Sequence, residues 1–171
     1  MTEKELKELL HSMSLQEKLG EMTQMAPNFF GTSDSVDLTG PMKAMNLKPE
    51  DVAYLGSTLN AFGAEKLIAM QKEHMERQPH HIPLIFMADV IHGLKTIYPV
   101  PLAMGCSFDT GLMEESAAMA ARESAATGIH LTFSPMADLV RDPRWGRVTE
   151  SPGEDPLLNA RMTAATVKGY Q

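Results

Sequence analysis

Apolar residues recur along the chain first at helical spacing and then in short, strand-length runs. Leu6, Leu9 and Leu10 form the stripe of a helix predicted from Glu3 to about Ser12, and Thr2 with Glu5 supplies a capping box at its start. Ser14 and Glu17 repeat the box, and Leu15, Leu19 and Met22 give a second helix its apolar face. Residues 27–49 hold three prolines and two glycines among Ser, Thr and Asp, the composition of a long loop. Asp51 to Asn60 carries a short apolar run that ends in glycine and small polar residues, read as a strand and then a turn.

Beyond that point the pattern becomes regular. Ala64 to Arg77 is a helix with Leu67, Met70 and Met75 among its apolar positions, and HIPLIFMAD is a strand-length run ending at Asp89. A loop follows through Gly93, Pro99 and Pro101. The alanine- and glutamate-rich segment Thr110 to Ala126 is a helix that Gly128 ends. Ile129 to Phe133 reads as a strand, which Met136 to Leu139 continue or follow after a break at Pro135. Asp142 to Pro156 is a charged loop, and Leu157 to Lys168 is helical. Strand, helix, strand, helix, strand, helix is a parallel α/β order. It fits a doubly wound sheet or the first units of a (β/α)8 barrel, whose complete form needs about 250 residues.

Composition narrows the function classes. With 171 residues and 43% hydrophobic content the chain can bury a core, and a net charge of −7 leaves no basic surplus to neutralise phosphates, so nucleic acid is not the expected partner. Cys106 is the single cysteine, which excludes an intrachain disulfide, and the six scattered histidines lack the spacing of zinc ligands. His80 and His81, flanked by Pro79 and Pro83, read as a surface turn. No stretch reaches the ~20 apolar residues of a membrane span. The opening MTEKELKELL lacks an apolar core followed by a cleavage site, so a cytoplasmic location is the expectation. Fourteen methionines dispersed over helices and strands read as core filling. Neither G-x-G-x-x-G after a strand nor G-x-x-x-x-G-K-[ST] is present, which removes the signatures of dinucleotide and nucleoside triphosphate binding.

Two segments carry candidate chemistry. In Met87 to Gly93, Asp89 stands where an apolar strand gives way to loop, the edge at which parallel α/β proteins bind ligands. Its carboxylate can accept hydrogen bonds from two hydroxyls, which suits a polyol; it can equally cap a turn. His92 can assist from the same loop, although packing against a neighbouring loop is the simpler reading. Ser134 to Pro156 gathers arginines, carboxylates and Trp145, the only tryptophan. Arginine offers a rigid fork of donors, and a tryptophan offers a flat apolar face. So dense a mixture of charges is also what a loop-shaping ion-pair network looks like, with Asp142, Arg144, Glu154 and Asp155 as its expected members.

Taken together, D-V-I-H-G (Asp89 to Gly93), K-T-I-Y-P-V (Lys95 to Val100), S-P-M-A-D (Ser134 to Asp138), D-P-R-W-G-R (Asp142 to Arg147) and G-E-D-P (Gly153 to Pro156) resemble the N-terminal domain of glycoside hydrolase family 3. The similarity extends back to M-S-L-Q-E-K-L-G-E-M-T-Q, Met13 to Gln24. Tyr98 departs mildly from a position often occupied by Phe. The resemblance implies that residues 1–171 are the N-terminal portion of a TIM-like barrel, incomplete within this length. It implies that Asp89 and Arg147 hold hydroxyls of the terminal sugar, with His92 in support, while Arg144 and Trp145 shape the loop. It further implies retaining hydrolysis by an aspartate nucleophile and a glutamic acid, with no cofactor or metal. The family's Lys-His pair and its nucleophile motif do not occur before Gln171, so Glu150 and Glu154 receive no catalytic role. The missing groups are expected from a C-terminal remainder or a second chain. The signatures resemble β-glucosidases and β-xylosidases more than the N-acetylglucosaminidase branch. The expected substrate is a β-linked gluco-oligosaccharide or aryl glucoside, with a β-xyloside as the alternative. A non-catalytic carbohydrate-binding or structural half-barrel fragment is the rival reading.

Overall fold

The computed structural model describes residues 1–27 and 52–171. Apart from Pro27, the long loop expected over 27–49 lies outside the described residues. The chain divides into two compact units, Met1–Met87 and Ala88–Gln171.

The first unit begins with the two capped helices. α1 spans Glu3–Ser12 and α2 spans Leu15–Glu21, and both capping boxes form, Thr2 with Glu5 and Ser14 with Glu17. Their apolar stripes are left largely open, with Leu6 and Leu10 each 52% exposed and Leu15 73%. β1 (Gln24–Met25), β2 (Ser57–Leu59) and β3 (Ile85–Ala88) pair in parallel in that order, with Met25 beside Thr58 and Thr58 beside Phe86. The strand therefore falls after Gly56 rather than on the apolar run before it. Val52 and Leu55 instead join a core of Ala61, Leu67, Met70, Leu84 and Phe86. Between β2 and β3 runs α3, Ala64–Arg77, which buries Leu67, Met70 and His74. His74, one turn after Met70, takes the core-facing place expected of Met75. Its buried ring is held below the usual histidine pKa by desolvation.

Beyond α3 the histidine turn is not merely solvated. His80 Nδ1 lies 2.6 Å from the Glu17 carboxylate and its Nε2 lies 3.0 Å from Ser12 Oγ, which ties the turn to the α1–α2 junction.

The second unit opens with the loop after β3. α4, Pro101–Gly105, is a short helix where the sequence predicts loop; Pro101 fits its first turn because that position needs no N–H partner. α5 spans Thr110–Thr127, capped by Asp109, which accepts from the Gly111 and Leu112 amides. β4 is only Leu131–Thr132, shorter than expected, and no strand occupies Met136 to Leu139. α6 spans Pro156–Tyr170.

α5 turns Met113, Ser116, Ala117, Ala120 and Ser124 inward at helical spacing. Met104, Met113, Met162 and Ala165 form one core, and Ala88, Val90, Ala120 and Ile129 form another. Gly169 allows α6 to lie on α5, since a Cβ there would stand 2.3 Å from the Glu114 carbonyl oxygen.

Candidate functional site

Asp89 directly follows β3 and is exposed, and its neighbour Val90 is fully buried. The backbone of Val90 leaves the strand ladder, so its polar groups must find partners elsewhere. Side chains from two other elements provide them. The Val90 amide donates to Thr132 Oγ1 at 3.3 Å, and its carbonyl accepts from Ser134 Oγ at 2.9 Å and from the Tyr170 hydroxyl. Burial pushes the Tyr170 phenol above its ordinary pKa, so it stays a donor into more alkaline solution than a free phenol. The residue next to Asp89 is thereby fixed through both its amide and its carbonyl.

The loop that continues from there is closed on itself. Tyr98 N–H donates to the His92 carbonyl at 2.8 Å, and His92 Nδ1 lies 2.8 Å from the Tyr98 carbonyl oxygen. A carbonyl can only accept, so Nδ1 carries the proton, and Nε2 of the neutral ring is an acceptor. Gly93 makes this turn possible. Its φ is +113°, and a Cβ would sit 2.0 Å from the Thr96 carbonyl oxygen. At the far side of the turn the Glu123 carboxylate accepts from the Lys95 amide at 2.9 Å, the Thr96 amide at 2.8 Å and Thr96 Oγ1 at 2.6 Å. His92 also borders a small cavity of about 20 Å³ with Tyr98, Ser116, Thr166 and Tyr170, large enough for about one water.

The second charged segment is built from local pairs. Arg147 presents Nε and Nη2 to the two oxygens of Glu150 at 3.0 and 2.7 Å, a bidentate contact made possible by the short 3-10 helix Val148–Glu150. Glu150 is the main influence holding Arg147 in its charged form, and the carboxylates of Asp138 and Asp89 add to it. Asp138 is itself located through its carbonyl, which accepts from Ser151 Oγ at 2.5 Å and Asn159 Nδ2 at 3.1 Å.

The expected single network of Asp142, Arg144, Trp145, Glu154 and Asp155 is not what forms. Asp142 and Arg144 pair with each other at 2.5 Å, and Arg144 remains 88% exposed. The Trp145 amide donates to the Asp142 carbonyl at 3.1 Å, so this residue closes the turn with its backbone. Asp155 caps α6, accepting from the Leu158 amide at 2.7 Å. Glu154 is exposed and makes no ion pair among the described residues. The reason is reach: an aspartate one residue before a helix finds free amides closer than any arginine. Among the described residues no cluster of three or more His, Cys, Asp or Glu is arranged to hold a metal ion. No helix among them is long and apolar enough to cross a membrane.

Two residues that sequence reasoning did not place in the site belong to its framework. Glu150 could have been found from its spacing of three to Arg147. Glu123 could not, because it lies 27 residues from the nearer of its two loop partners, in a helix rich in glutamate.

Residues 14–171 match the glycosyl hydrolase family 3 N-terminal domain. The chain is 47% identical to a β-glucosidase from Listeria innocua solved in complex with glucose, with a TM-score of 0.92; the match covers 100% of this chain and 24% of that one. It is 32% identical to a periplasmic β-glucosidase of Salmonella typhimurium, over 96% of this chain and 20% of the relative. It is 33% identical to a β-xylosidase of Formosa agariphila, over 63% of this chain and 16% of the relative. The chain therefore spans 16–24% of the length of these proteins. Its parallel strands and flanking helices correspond to an incomplete (β/α)8 TIM-like barrel, as in the solved structures of this kind.

Proposed function

The chain belongs to glycosyl hydrolase family 3, and on that premise we propose that it is the glycone-binding portion of a retaining β-glucosidase. The observation that carries this reading is an exposed strand-end carboxylate, Asp89, set beside the fixed backbone of Val90, together with a guanidinium, Arg147, braced on both oxygens of Glu150. A sugar hydroxyl is both donor and acceptor. Asp89 accepts from hydroxyls of the terminal glucose, Arg147 donates to them, and the Nε2 of His92 is a further acceptor. As the ring flattens toward an oxocarbenium ion its hydroxyls become more acidic, and hydrogen bonds to a fixed carboxylate strengthen. That is differential binding of the transition state, with no metal or organic cofactor needed.

Bond cleavage falls to an aspartate nucleophile and a glutamic acid outside these residues, in the polypeptide that completes the enzyme. The retaining route sets two carboxyl groups about 5–5.5 Å apart. Glu150 is committed to Arg147 and is unsuited to either task. The substrate is a β-linked gluco-oligosaccharide or aryl β-glucoside. A β-xylosidase is the second reading, supported by the likeness to the Formosa agariphila β-xylosidase.

The test is initial-rate hydrolysis by the complete enzyme of aryl β-glucoside, β-xyloside, β-galactoside and β-N-acetylglucosaminide, with proton NMR of the first sugar released. Fastest turnover of the glucoside, with β-glucose appearing first, is the expected result. Preference for the xyloside transfers the assignment to the second reading. A folded, complete enzyme that cleaves none of the four, or that releases the α-anomer first, overturns the retaining β-glycosidase assignment.

A further inference from the structure

The stretch from Asp89 to Tyr98 is clamped at two places. One clamp is the trio of hydroxyls on Val90, from Thr132, Ser134 and Tyr170. The other is a single carboxylate. Glu123 receives three hydrogen bonds from two consecutive residues at the loop tip, all between 2.6 and 2.9 Å. Adjacent amides that point the same way make a small anion-binding concavity, and here the anion is a side chain of α5. Those bonds also hold the carboxyl below its ordinary pKa, so the clamp stays charged into mildly acid solution.

We infer that Glu123 is a positioning residue for sugar binding, acting through the Lys95–Thr96 tip to set the His92 ring beside Asp89 in sequence. The inference rests on the glycone-binding reading above. The mechanical path is short. Glu123 fixes Thr96, the Thr96 carbonyl lies against Gly93, and Gly93 follows His92, whose carbonyl and Nδ1 are both engaged by Tyr98. With the tip released, the Val90 clamp and the two His92–Tyr98 hydrogen bonds remain, but the turn between them loses its outside support. The His92 ring then shifts together with the turn and Tyr98, and its Nε2 loses the fixed bearing that a hydroxyl donor requires. No sugar contact is needed from Glu123 itself.

Glu114 provides an internal control. It lies on the same helix, carries the same charge and is paired with Lys168 at 2.8 Å rather than with the loop. The experiment compares Glu123→Ala, Glu123→Gln, Thr96→Val and Glu114→Gln in the complete enzyme. It reads kcat and KM on an aryl β-glucoside, inhibition by glucose, melting temperature, and amide exchange at Lys95 and Thr96. Glu123→Ala is expected to lower kcat/KM about 10- to 100-fold, the cost of a misplaced binding group. Weaker glucose inhibition, faster exchange at both amides and a melting temperature close to that of Glu114→Gln should accompany it. Glu123→Gln keeps one acceptor and should lie between wild type and Ala. Thr96→Val should give part of the loss and add little to Glu123→Ala. Glu114→Gln should leave KM and kcat unchanged.

Faster amide exchange with kcat, KM and glucose inhibition unmoved would make Glu123 a purely structural anchor and overturn the inference, leaving the proposed function intact. A failure of Glu123→Ala to fold shifts the decision to Glu123→Gln and Thr96→Val, whose kinetics must then show the loss. Should the folded wild-type enzyme cleave no aryl β-glycoside, the proposed function falls first and this inference falls with it.

Discussion

The two loops that carry the site are fastened in opposite ways. The Asp89–Tyr98 loop is held from a distance: its partners Glu123, Thr132, Ser134 and Tyr170 stand 27 to 80 residues away in sequence. The Asp142–Glu150 segment is held by itself, since Arg144 grips Asp142 two residues back and Arg147 grips Glu150 three residues ahead. A locally fastened loop can regain its shape whenever its own residues are present. A remotely fastened one exists only once the surrounding fold does. The acceptor side of the candidate subsite, Asp89 and His92, thus depends on tertiary structure. The donor side, Arg147, depends mainly on a short turn of 3-10 helix.

The largest effects should come from the two groups proposed to face the sugar. In the complete enzyme, Asp89→Ala or Arg147→Ala is expected to reduce kcat/KM on an aryl β-glucoside by about 100- to 1000-fold, the scale of losing one preorganised transition-state contact. Near-UV circular dichroism should be unchanged, because both residues are exposed and neither belongs to a core. Arg147→Lys should recover little, since an ammonium cannot make the two-pronged contact with Glu150 and still donate in a fixed direction. Turnover within a factor of two of wild type for Asp89→Ala would remove it from the subsite.

The same contrast explains what could be read from the chain and what could not. The longer helices are legible because their signals are local, whereas the five-residue α4 is not. Thr2 with Glu5, Ser14 with Glu17, and Gly128 after α5 each mark an end within a few residues. The strands were less so. β2 falls on Ser57–Leu59, where Thr58 is fully buried despite its hydroxyl, because pairing on both sides rather than hydrophobicity selects that segment. β1 is two residues long, too short for any period to appear. The methionines read as core filling do so in two clusters, Met70 in one and Met104 with Met113 and Met162 in another, whereas Met22 is 85% exposed. For the candidate site, the motifs proposed Asp89, His92 and Arg147. They did not reveal that the charges around Arg147 divide into separate pairs, because composition counts charges without saying which ones reach each other.

An intermediate effect should follow from loosening Arg147 without removing it. Glu150→Gln keeps the size of the side chain but loses its charge, and kcat/KM should fall about 10-fold, the value of one charge-assisted hydrogen bond. Its pH dependence sharpens the comparison. The Arg147 contact holds Glu150 below its ordinary value of 4.5, so the unfolded chain binds the proton more readily than the folded one. The stabilisation is fully present above pH 4.5, and it is lost as the pH falls through the lowered folded value. Melting temperatures of wild type and Glu150→Gln should therefore differ by a constant amount from neutrality to about pH 5 and converge in stronger acid. A gap that widens on acidification would mean that Glu150 is not the carboxylate bracing Arg147.

The smallest effect should come from the neighbouring pair, although it looks similar on paper. Asp142 accepts the Arg144 guanidinium through both oxygens, yet the arginine side chain is 88% exposed and the pair is open to solvent and salt. Asp142 also accepts from the Arg144 backbone amide at 2.9 Å, a bond that survives any change of the arginine side chain. Arg144→Ala should leave the turn closed, the melting temperature within experimental error and kcat/KM within twofold of wild type. Asp142→Ala removes the amide acceptor as well and should do more than Arg144→Ala, ordering the two by backbone rather than by ion pair. If Arg144→Ala instead matched the loss seen for Arg147→Ala, the donor of the subsite would be shared between two arginines. The segment would then act as one charged surface, and the distinction between a braced guanidinium and a solvated one would fail.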